Sequence, residues 1–284
     1  MIDPKQYLKT LIKKTGFDGE GVPALEANYH THTWRCHHAS GTEREYVEAA
    51  IEGGMKVLGF SDHTPYPFPN GYCSSFRMEV SQLEGYVATV EKLREEYRDD
   101  IDIRIGLEVE YYPEFFDDLT HLTDQYPIEY YILGQHFIGN EFGEAYSAVP
   151  SVSVEKLHRY VEQVKEGMDT GRFVYVAHPD LFYFIGSDEH YEREMRSLCQ
   201  HAKKKGIPLE INFLGLFEGR SYPRQLFWKI AGEVGNQVIF GCDAHKPDMV
   251  NNPFSMQEAL NMTEKYGLER IVFLDLEYQI TPRP

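Results

Sequence analysis

Short apolar runs alternate with longer amphipathic stretches along almost the whole 284-residue chain, and this rhythm restricts the folds that it can adopt. Seven runs have the length and the β-branched and aromatic content of buried strands. They are Ala27 to Tyr29, Val57 to Ser61, Ile101 to Val109, Tyr130 to Leu133, Val174 to Ala177, Leu209 to Ile211 and Val238 to Gly241. A further run, Arg270 to Leu274, is either an eighth strand or a late addition.

Helical patterns fill the intervals between these runs. The predicted helices are Glu43 to Gly53 after the N-cap Thr42, Gln82 to Tyr97 after the N-cap Ser81, and Val154 to Thr170. Strands that alternate with helices in one series form a parallel sheet covered by helices. We therefore expect a single α/β domain over residues 27–284, a TIM-like (β/α)7 barrel with its active site at the carboxyl ends of the strands. An open doubly wound sheet is the alternative, and it would place function at a switch point.

Residues 1–26 precede the first strand. Tyr7, Leu8, Leu11 and Ile12 stand near helical spacing, which predicts an N-terminal helical leader packed on the barrel. We expect it to cap the barrel bottom, and contact with a neighbouring chain is the alternative. The segment lacks the apolar core of a signal peptide, and no run approaches the roughly 18 apolar residues of a membrane span. These features predict a cytoplasmic protein without a membrane partner.

Charge and cysteine content narrow the class of partner. The net charge of -17 opposes binding to a polynucleotide backbone, so a small-molecule substrate is favoured and no nucleic acid is expected. The acidic surface also serves solubility, and bound divalent metals would offset part of it. The four cysteines are scattered with no C-x-x-C pair, which predicts reduced thiols at Cys36, Cys73, Cys199 and Cys242.

Seven of the twelve histidines stand just beyond the carboxyl end of a predicted strand, in company with one glutamate and one aspartate. The nine residues are His30, His32, His38, His63, Glu108, His136, His178, Asp243 and His245. A lone histidine beside a strand is usually structural, but core packing does not require imidazole at the same end of several strands. One barrel mouth lined by imidazole and carboxylate is what divalent transition metals bind. His37 is left out of the set, and His121, His158, His190 and His201 fall in helical or loop stretches, where a structural histidine is expected.

A cluster of nine donors predicts more than one metal ion. At four protein ligands or fewer per ion, the nine groups divide over three sites if a carboxylate bridges two of them. Such metals lower the pKa of water from about 15.7 toward 7, and paired ions about 3.5 to 4 Å apart hold the oxygens of a phosphoryl group. The sequence contains no G-x-x-x-x-G-K-[ST], G-x-G-x-x-G or G-x-S-x-G motif, which opposes a nucleotide-fuelled enzyme or a serine esterase. The chain is therefore predicted to be a metal-dependent phosphate-ester hydrolase.

The order of the motifs resembles the polymerase and histidinol phosphatase (PHP) family. From His30 to His245 the chain shows H-x-H with a third histidine six residues later, then DH, G-x-E, a lone histidine, HPD and D-x-H. The resemblance implies a distorted seven-stranded barrel with three divalent ions. Imidazole and carboxylate suit zinc, manganese and iron alike, so the sequence does not identify the metals. It implies one site from His30, His32, Glu108 and Asp243, a second from His38, His63 and His245, and a third from Glu108, His136 and His178.

Within that family the length and the segments LEINFLGL and GLEVEYYP are similar to the stand-alone histidinol-phosphate phosphatases. This likeness implies hydrolysis of L-histidinol phosphate in histidine biosynthesis, with a metal-bridging hydroxide as nucleophile. Phosphatases of nucleotides or other phosphoesters share the same metal set, so they stay an alternative. A noncatalytic metal-binding protein is the alternative from another class. Cys242 stands where a serine is usual, as either an added soft ligand or a packed thiol.

Several further residues are candidates for catalysis beside Asp243 and His245. Arg77 and Arg220 each follow a strand end and can clamp a phosphate, with Arg220 preferred, although a surface ion pair is the alternative for both. Asp62 and Asp180 fit carboxylates that accept the free ring hydrogen of a ligand histidine, and Asp62 is also a candidate general acid. The residues expected either to face the amine and imidazole of the leaving group or to pack around the ligands are Glu110, Tyr111, Phe137 and Phe213. The sequence does not indicate an oligomeric state.

Overall fold

The computed structural model describes residues 17, 19–72, 74–142 and 146–276. The predictions for residues 1–16 and for Cys73 lie outside the described residues. Residues 19–26 are not helical, so a helical leader over all of 1–26 is wrong for that part. Phe17 instead packs edge to face on Phe254, with ring centroids 5.8 Å apart, and the Glu26 carbonyl accepts a hydrogen bond from the Lys56 amide at 2.7 Å. The stretch before the first strand therefore contacts Phe254 and the residue that precedes Val57.

Eight parallel strands form one sheet in chain order, each paired with the next. They are β1 Ala27–Asn28, β2 Val57–His63, β3 Asp102–Val109, β4 Tyr130–Leu133, β5 Phe173–Val176, β6 Leu209–Asn212, β7 Gln237–Gly241 and β8 Glu269–Arg270. All seven predicted strands are confirmed, with ends that differ by two residues at most. The predicted late run supplies only the short β8, which pairs with the start of β7.

Helices cover the sheet between successive strands. Those described are α1 Glu43–Glu52, α2 Leu83–Glu96, α3 Phe116–Thr123, α4 Val154–Asp169, α5 Asp188–Lys205, α6 Phe213–Glu218, α7 Gln225–Val234 and α8 Pro253–Tyr266. Thr42 caps α1 as predicted, because its side chain accepts from the Glu45 amide while the Glu45 carboxylate accepts from the Thr42 amide. Ser81 does not cap α2; it lies inside the short 3-10 turn Val80–Gln82, where Gln82 accepts from the Glu79 amide at 2.8 Å.

The first and last strands of the sheet make different contacts at the carboxyl ends and at the amino ends of the strands. At the carboxyl ends, the chain after β1 pairs directly with the chain after β7 through a parallel bridge between Thr31 and Ala244. The His32 amide donates to the Ala244 carbonyl at 3.0 Å, and the Ser40 amide donates to the His245 carbonyl at 2.9 Å. At the amino ends, β8 lies along β7, and the Leu274 amide donates to the Tyr29 hydroxyl. The result is the distorted barrel that the sequence predicts, and the Thr31–Ala244 bridge closes it at its mouth.

Apolar packing below the mouth supports the site. Tyr130 fills the barrel interior, and its hydroxyl donates to the carbonyls of Tyr29 and Phe60 at 3.0 and 3.1 Å. Gly59 and Gly106 make room for this ring, because a Cβ at either position would lie within 2.3 Å of a Tyr130 atom. A second, larger core fills the space between sheet and helices. Among the described residues, no helix combines the length and apolarity needed to cross a membrane.

Candidate metal centre

The nine predicted donors converge at the closed mouth of the barrel. His63 ends β2 and Glu108 is the penultimate residue of β3, so both sit on the sheet itself. The other seven follow directly after their strands or, for His38, after one short turn. The Thr31–Ala244 bridge explains why donors from opposite ends of the sequence meet, because it draws the chain after β1 against the chain after β7. This placement agrees with the sequence prediction that these side chains lie together at one mouth of the barrel.

Glu108 occupies the middle of the cluster. Its two carboxylate oxygens face five imidazoles, with nitrogen–oxygen distances of 3.5 Å to His30, 3.5 Å to His32, 3.0 Å to His63, 3.7 Å to His136 and 2.8 Å to His178. Gly134, which follows β4, leaves the space for this carboxylate: a Cβ there would lie 1.9 Å from Glu108 Oε1. Burial raises the pKa of Glu108, but the surrounding histidines outweigh that effect and hold it well below its usual value. Glu108 is therefore an anion poised between several nitrogens.

Asp243 supplies the second carboxylate. Its Oδ1 lies 3.1 Å from His32 Nε2, 3.6 Å from His30 Nε2 and 3.4 Å from His245 Nδ1. The backbone of Asp243 and that of His178 have φ values of 50° and 30°, a left-handed region that residues other than glycine rarely adopt. Such strain persists only where surrounding contacts enforce it, and it concentrates at functional sites.

His38 reaches the cluster through a local turn. The 3-10 turn Trp34–Cys36 ends at His37, whose φ of 68° redirects the chain. The His38 ring then lies 4.6 Å from the His245 ring and 5.3 Å from the His63 ring, measured between centroids. Its Nδ1 donates to the Cys36 carbonyl at 2.6 Å, which leaves Nε2 for a ligand. His37 itself is exposed and belongs to none of the donor groups, in agreement with its omission from the predicted set.

The pattern of unsatisfied polar atoms fits bound metal ions. Buried atoms without a hydrogen-bond partner among the described residues include His30 Nε2, His32 Nε2, His63 Nδ1, Glu108 Oε2 and His245 Nε2. Buried polar atoms are normally paired, and imidazole with carboxylate is the donor chemistry of divalent transition metals. Groups whose donor atoms lie within 4.8 Å of one another include His30–His32–Glu108, His38–His63–His245, His63–Glu108–His136 and His30–His178–Asp243. The residues present therefore fit a multinuclear centre.

Two cysteines approach this centre. Cys36 forms a possible donor group with His32 and His245, which the sequence analysis did not anticipate. Cys242 belongs to none of the described donor groups, and its thiol contacts the Val250 carbonyl at 3.4 Å. The packed-thiol interpretation of Cys242 is therefore the one that its surroundings favour.

Carboxylates behind the histidines orient the rings. Glu210 accepts from His30 Nδ1 at 2.7 Å, and Glu110 accepts from His136 Nδ1 at 2.9 Å. Asp62 lies 3.4 Å from His32 Nδ1 and accepts from the Thr33 hydroxyl and the His63 amide, so it fits the orienting role rather than that of a general acid. Sequence reasoning missed Glu210, although its alternation with Asn212 on β6 was a signal that both side chains point to the mouth.

Asp180 does not orient a ligand histidine as predicted. Its Oδ2 accepts from the Arg224 amide at 2.5 Å, at the N-cap of α7. Burial raises the pKa of Asp180 to about 7.

A cavity of about 1650 Å³ opens above the donors. Its wall includes Arg220, whose guanidinium donates to the Glu218 carboxylate at 2.7 Å and to the Tyr222 hydroxyl at 2.8 Å. Arg77 is absent from the described lining; it is buried and donates to Glu110 and Glu141 at 3.0 and 3.1 Å. Arg77 is therefore not positioned as a phosphate clamp, because its guanidinium is bound to carboxylates behind the wall.

The four residues that are candidates for contact with the leaving group also divide into one that lines the cavity and three that do not. Phe137 lines the cavity, whereas Glu110, Tyr111 and Phe213 are absent from the described lining. Glu110 is fully buried between Arg77 and His136, and Phe213 packs on Phe240 in the core. The wall residues that sequence reasoning missed include Phe76, Tyr146, Tyr183, Tyr222 and Lys246. They lie in loops, where a single sequence offers no periodicity from which to place them.

A sequence model of the PHP domain matches residues 28–213, about two thirds of the chain and most of the donor set. The chain belongs to the PHP domain family. A histidinol-phosphatase of Bacillus subtilis is 30% identical over 249 residues, which cover 76% of this PHP chain and 92% of the relative. A protein of Deinococcus radiodurans described as a probable histidinol-phosphatase is 28% identical over 253 residues, covering 86% and 95% of the two chains.

Solved structures show the same PHP fold. The histidinol phosphate phosphatase of Lactococcus lactis, solved with zinc, L-histidinol and phosphate, superposes with a TM-score of 0.69 at 19% identity. The match covers 88% of this PHP chain and 99% of that protein. The distorted barrel expected from the order of the motifs is thus shared with a solved structure, over almost the entire length of that protein.

Proposed function

We propose that this PHP protein hydrolyses L-histidinol phosphate to L-histidinol and inorganic phosphate, a reaction of histidine biosynthesis. The observation that carries the proposal is the donor cluster at the floor of a cavity whose wall presents Arg220. The alignment with the histidinol-phosphatase of Bacillus subtilis, which covers 92% of that relative, supports the choice of substrate. The volume of the cavity admits a substrate of this size. The net charge of -17 opposes the binding of long nucleic acids.

The donor set supports three divalent ions. His30, His32, Glu108 and Asp243 would hold the first, His38, His63 and His245 the second, and Glu108, His136 and His178 the third. Zinc is the first choice because the Lactococcus lactis structure contains it, with manganese and iron as alternatives. Bound metals supply water of lowered pKa and neutralise charge on the phosphoryl oxygens.

The chain's own side chains bind and orient the substrate. Arg220 faces the cavity with a planar guanidinium, which suits the oxygens of a phosphate. Lys246 follows His245 on the same wall and adds a second cation. Phe76 and Phe137 stack with centroids 5.5 Å apart and provide an apolar surface for the imidazole of the leaving group. Phosphate is thus held toward the donors, and the organic part lies against the aromatic wall.

The test is turnover of a phosphomonoester panel by the metal-replete protein. We expect the highest kcat/KM on L-histidinol phosphate, and equal or higher values on nucleotides would overturn the substrate assignment. Asp243→Asn and His136→Ala should each lower kcat by about 10²-fold or more, as expected when a group that places the reacting atoms is displaced. His121→Ala, on the exposed face of α3, is the matched control and should retain activity. Unchanged activity in both donor variants would refute the catalytic role of the donors, and a lack of turnover of every phosphomonoester would instead support a noncatalytic metal-binding protein.

A further inference from the structure

A buried ion cluster lies directly behind His136, outside the cavity. Arg77, Glu110 and Glu141 form it, with side chains at most 2% exposed. Arg77 Nη1 donates to Glu110 at 3.0 Å and to the Thr64 carbonyl at 3.0 Å, while Nη2 donates to Glu141 at 3.1 Å. None of these three side chains is among the described residues that line the cavity, so they lie behind the site proposed for the substrate.

A contribution to folding stability does not explain this buried ion cluster. Burying charged groups carries a desolvation penalty that a buried ion pair often fails to repay, so apolar residues of similar size would serve the core as well. One guanidinium also faces two carboxylates here, which leaves negative charge in excess. The second oxygen of Glu110 directs that charge at His136, because Oε1 accepts from His136 Nδ1 at 2.9 Å.

This contact determines which nitrogen of His136 is free. A carboxylate can only accept, so the proton of the neutral ring resides on Nδ1. The lone pair is then on Nε2, which faces Glu108 Oε1 at 3.7 Å inside the donor cluster. His30 shows the same arrangement with Glu210, whereas His38 and His245 rely on the backbone carbonyls of Cys36 and Asp243. Among these four, the pair at His136 is the one whose carboxylate is itself held by a buried arginine.

We propose that Glu110 is a positioning residue for metal binding, that it holds His136 as the Nδ1–H tautomer with Nε2 directed at the third ion, and that Arg77 keeps Glu110 in place. The inference rests on the proposed role of His136 as a metal ligand. It assigns Arg77, which is absent from the described lining of the cavity, to the support of that ligand.

The test is Glu110→Gln, which keeps the shape of the side chain and removes its charge. Competition with a chromophoric chelator should show one ion bound about 10 to 100-fold more weakly than in the parent protein, the loss typical of an orienting partner. Elemental analysis after dialysis against the chelator should show one ion fewer per chain. Circular dichroism and thermal unfolding of the variant check that the fold persists.

Glu141→Gln is the matched control, because it removes the other carboxylate of Arg77 without touching His136. Its metal affinity should equal that of the parent protein. Parent-like metal affinity in Glu110→Gln overturns the inference, and so does an equal loss in both variants, which would indicate a merely structural cluster. His136→Ala separates this failure from that of the proposed function. If His136→Ala loses an ion and Glu110→Gln does not, the ligand assignment stands and the positioning role of Glu110 is wrong.

Discussion

At the scale of single residues, the partner of each imidazole determines its charge in the metal-free protein. Burial lowers the pKa of His32, but the carboxylates of Asp243 and Asp62 beside its ring outweigh that effect and raise the pKa to about 9. His63 and His245 lack comparable compensation, so burial holds their pKa values well below the usual one. Near pH 7 the cluster thus contains both protonated and neutral rings, and only the neutral ones are ready to bind a metal.

Proton release should therefore accompany metal binding. An ion that binds His32 at pH 7 must displace its proton, so the affinity of that site should rise with pH up to about 9. The expected slope is roughly tenfold per pH unit for each displaced proton. Calorimetric titration of the metal-free protein in two buffers of different ionisation enthalpy measures the protons released. A heat of binding that is the same in both buffers after dilution correction would contradict the pKa assigned to His32.

The candidate metal donors could be predicted from the sequence, but most of the side chains that contact and orient them could not. His63 and His178 are recognisable because each stands at a strand end, which is a local pattern in the sequence. Glu210 reaches His30 across 180 positions of the sequence, and that contact depends on how the barrel closes. The sequence could not locate the partners of Arg77 for the same reason, since its carboxylates come from other segments.

At the scale of elements, two glycines beside the strands leave room for carboxylates. A Cβ at Gly134 would lie 1.9 Å from Glu108 Oε1, and one at Gly241 would lie 1.8 Å from Glu210 Oε1. The strands can therefore bring a central carboxylate and an orienting carboxylate into the mouth only if their neighbours carry no side chain.

Gly134→Ala tests this requirement. The added methyl group should displace Glu108 and lower kcat by about 10²-fold, the effect typical of a misplacement of about 1 Å in an active site. Steady-state kinetics and metal content are the measurements. Gly85→Ala is the control: it lies on α2 with no heavy atom within 4 Å of the added Cβ, and it should raise stability by about 0.5–1 kcal/mol with activity unchanged. Parent-like kcat and metal content in Gly134→Ala would refute the steric argument.

At the scale of the whole molecule, the metal centre and the barrel closure depend on the same contacts. The bridge between Thr31 and Ala244 joins the first and last units at the mouth, and it lies between His30 and His32 on one side and Asp243 and His245 on the other. Sequence periodicity predicted seven strands and a barrel, but it could not predict that the barrel closes at its mouth while β8 lies along β7 at the opposite end. That difference arises from pairing between distant segments, which leaves no local pattern.

Metal removal should therefore destabilise the entire fold. Ions bound to the native state at 1,000 times their Kd add about 4.1 kcal/mol per site, and each kcal/mol shifts the Tm of a large domain by roughly 2–4 °C. Scanning calorimetry before and after chelation should show a fall in Tm that added zinc reverses. Asp243→Asn should show a smaller fall, because it starts with a weakened site. A Tm that chelation leaves unaltered would indicate that the fold is independent of the ions.

The donors and the cavity wall come from different parts of the chain. Histidines and carboxylates stand at or next to strand ends, whereas wall residues such as Phe137, Tyr146, Arg220 and Lys246 belong to the connecting loops. Loops accept insertions and exchanges far more readily than strands do. An ancestral barrel of this design can therefore acquire new substrates by loop replacement while its hydrolytic chemistry is inherited intact. The same separation makes the barrel a scaffold onto which loops from other phosphatases can be grafted.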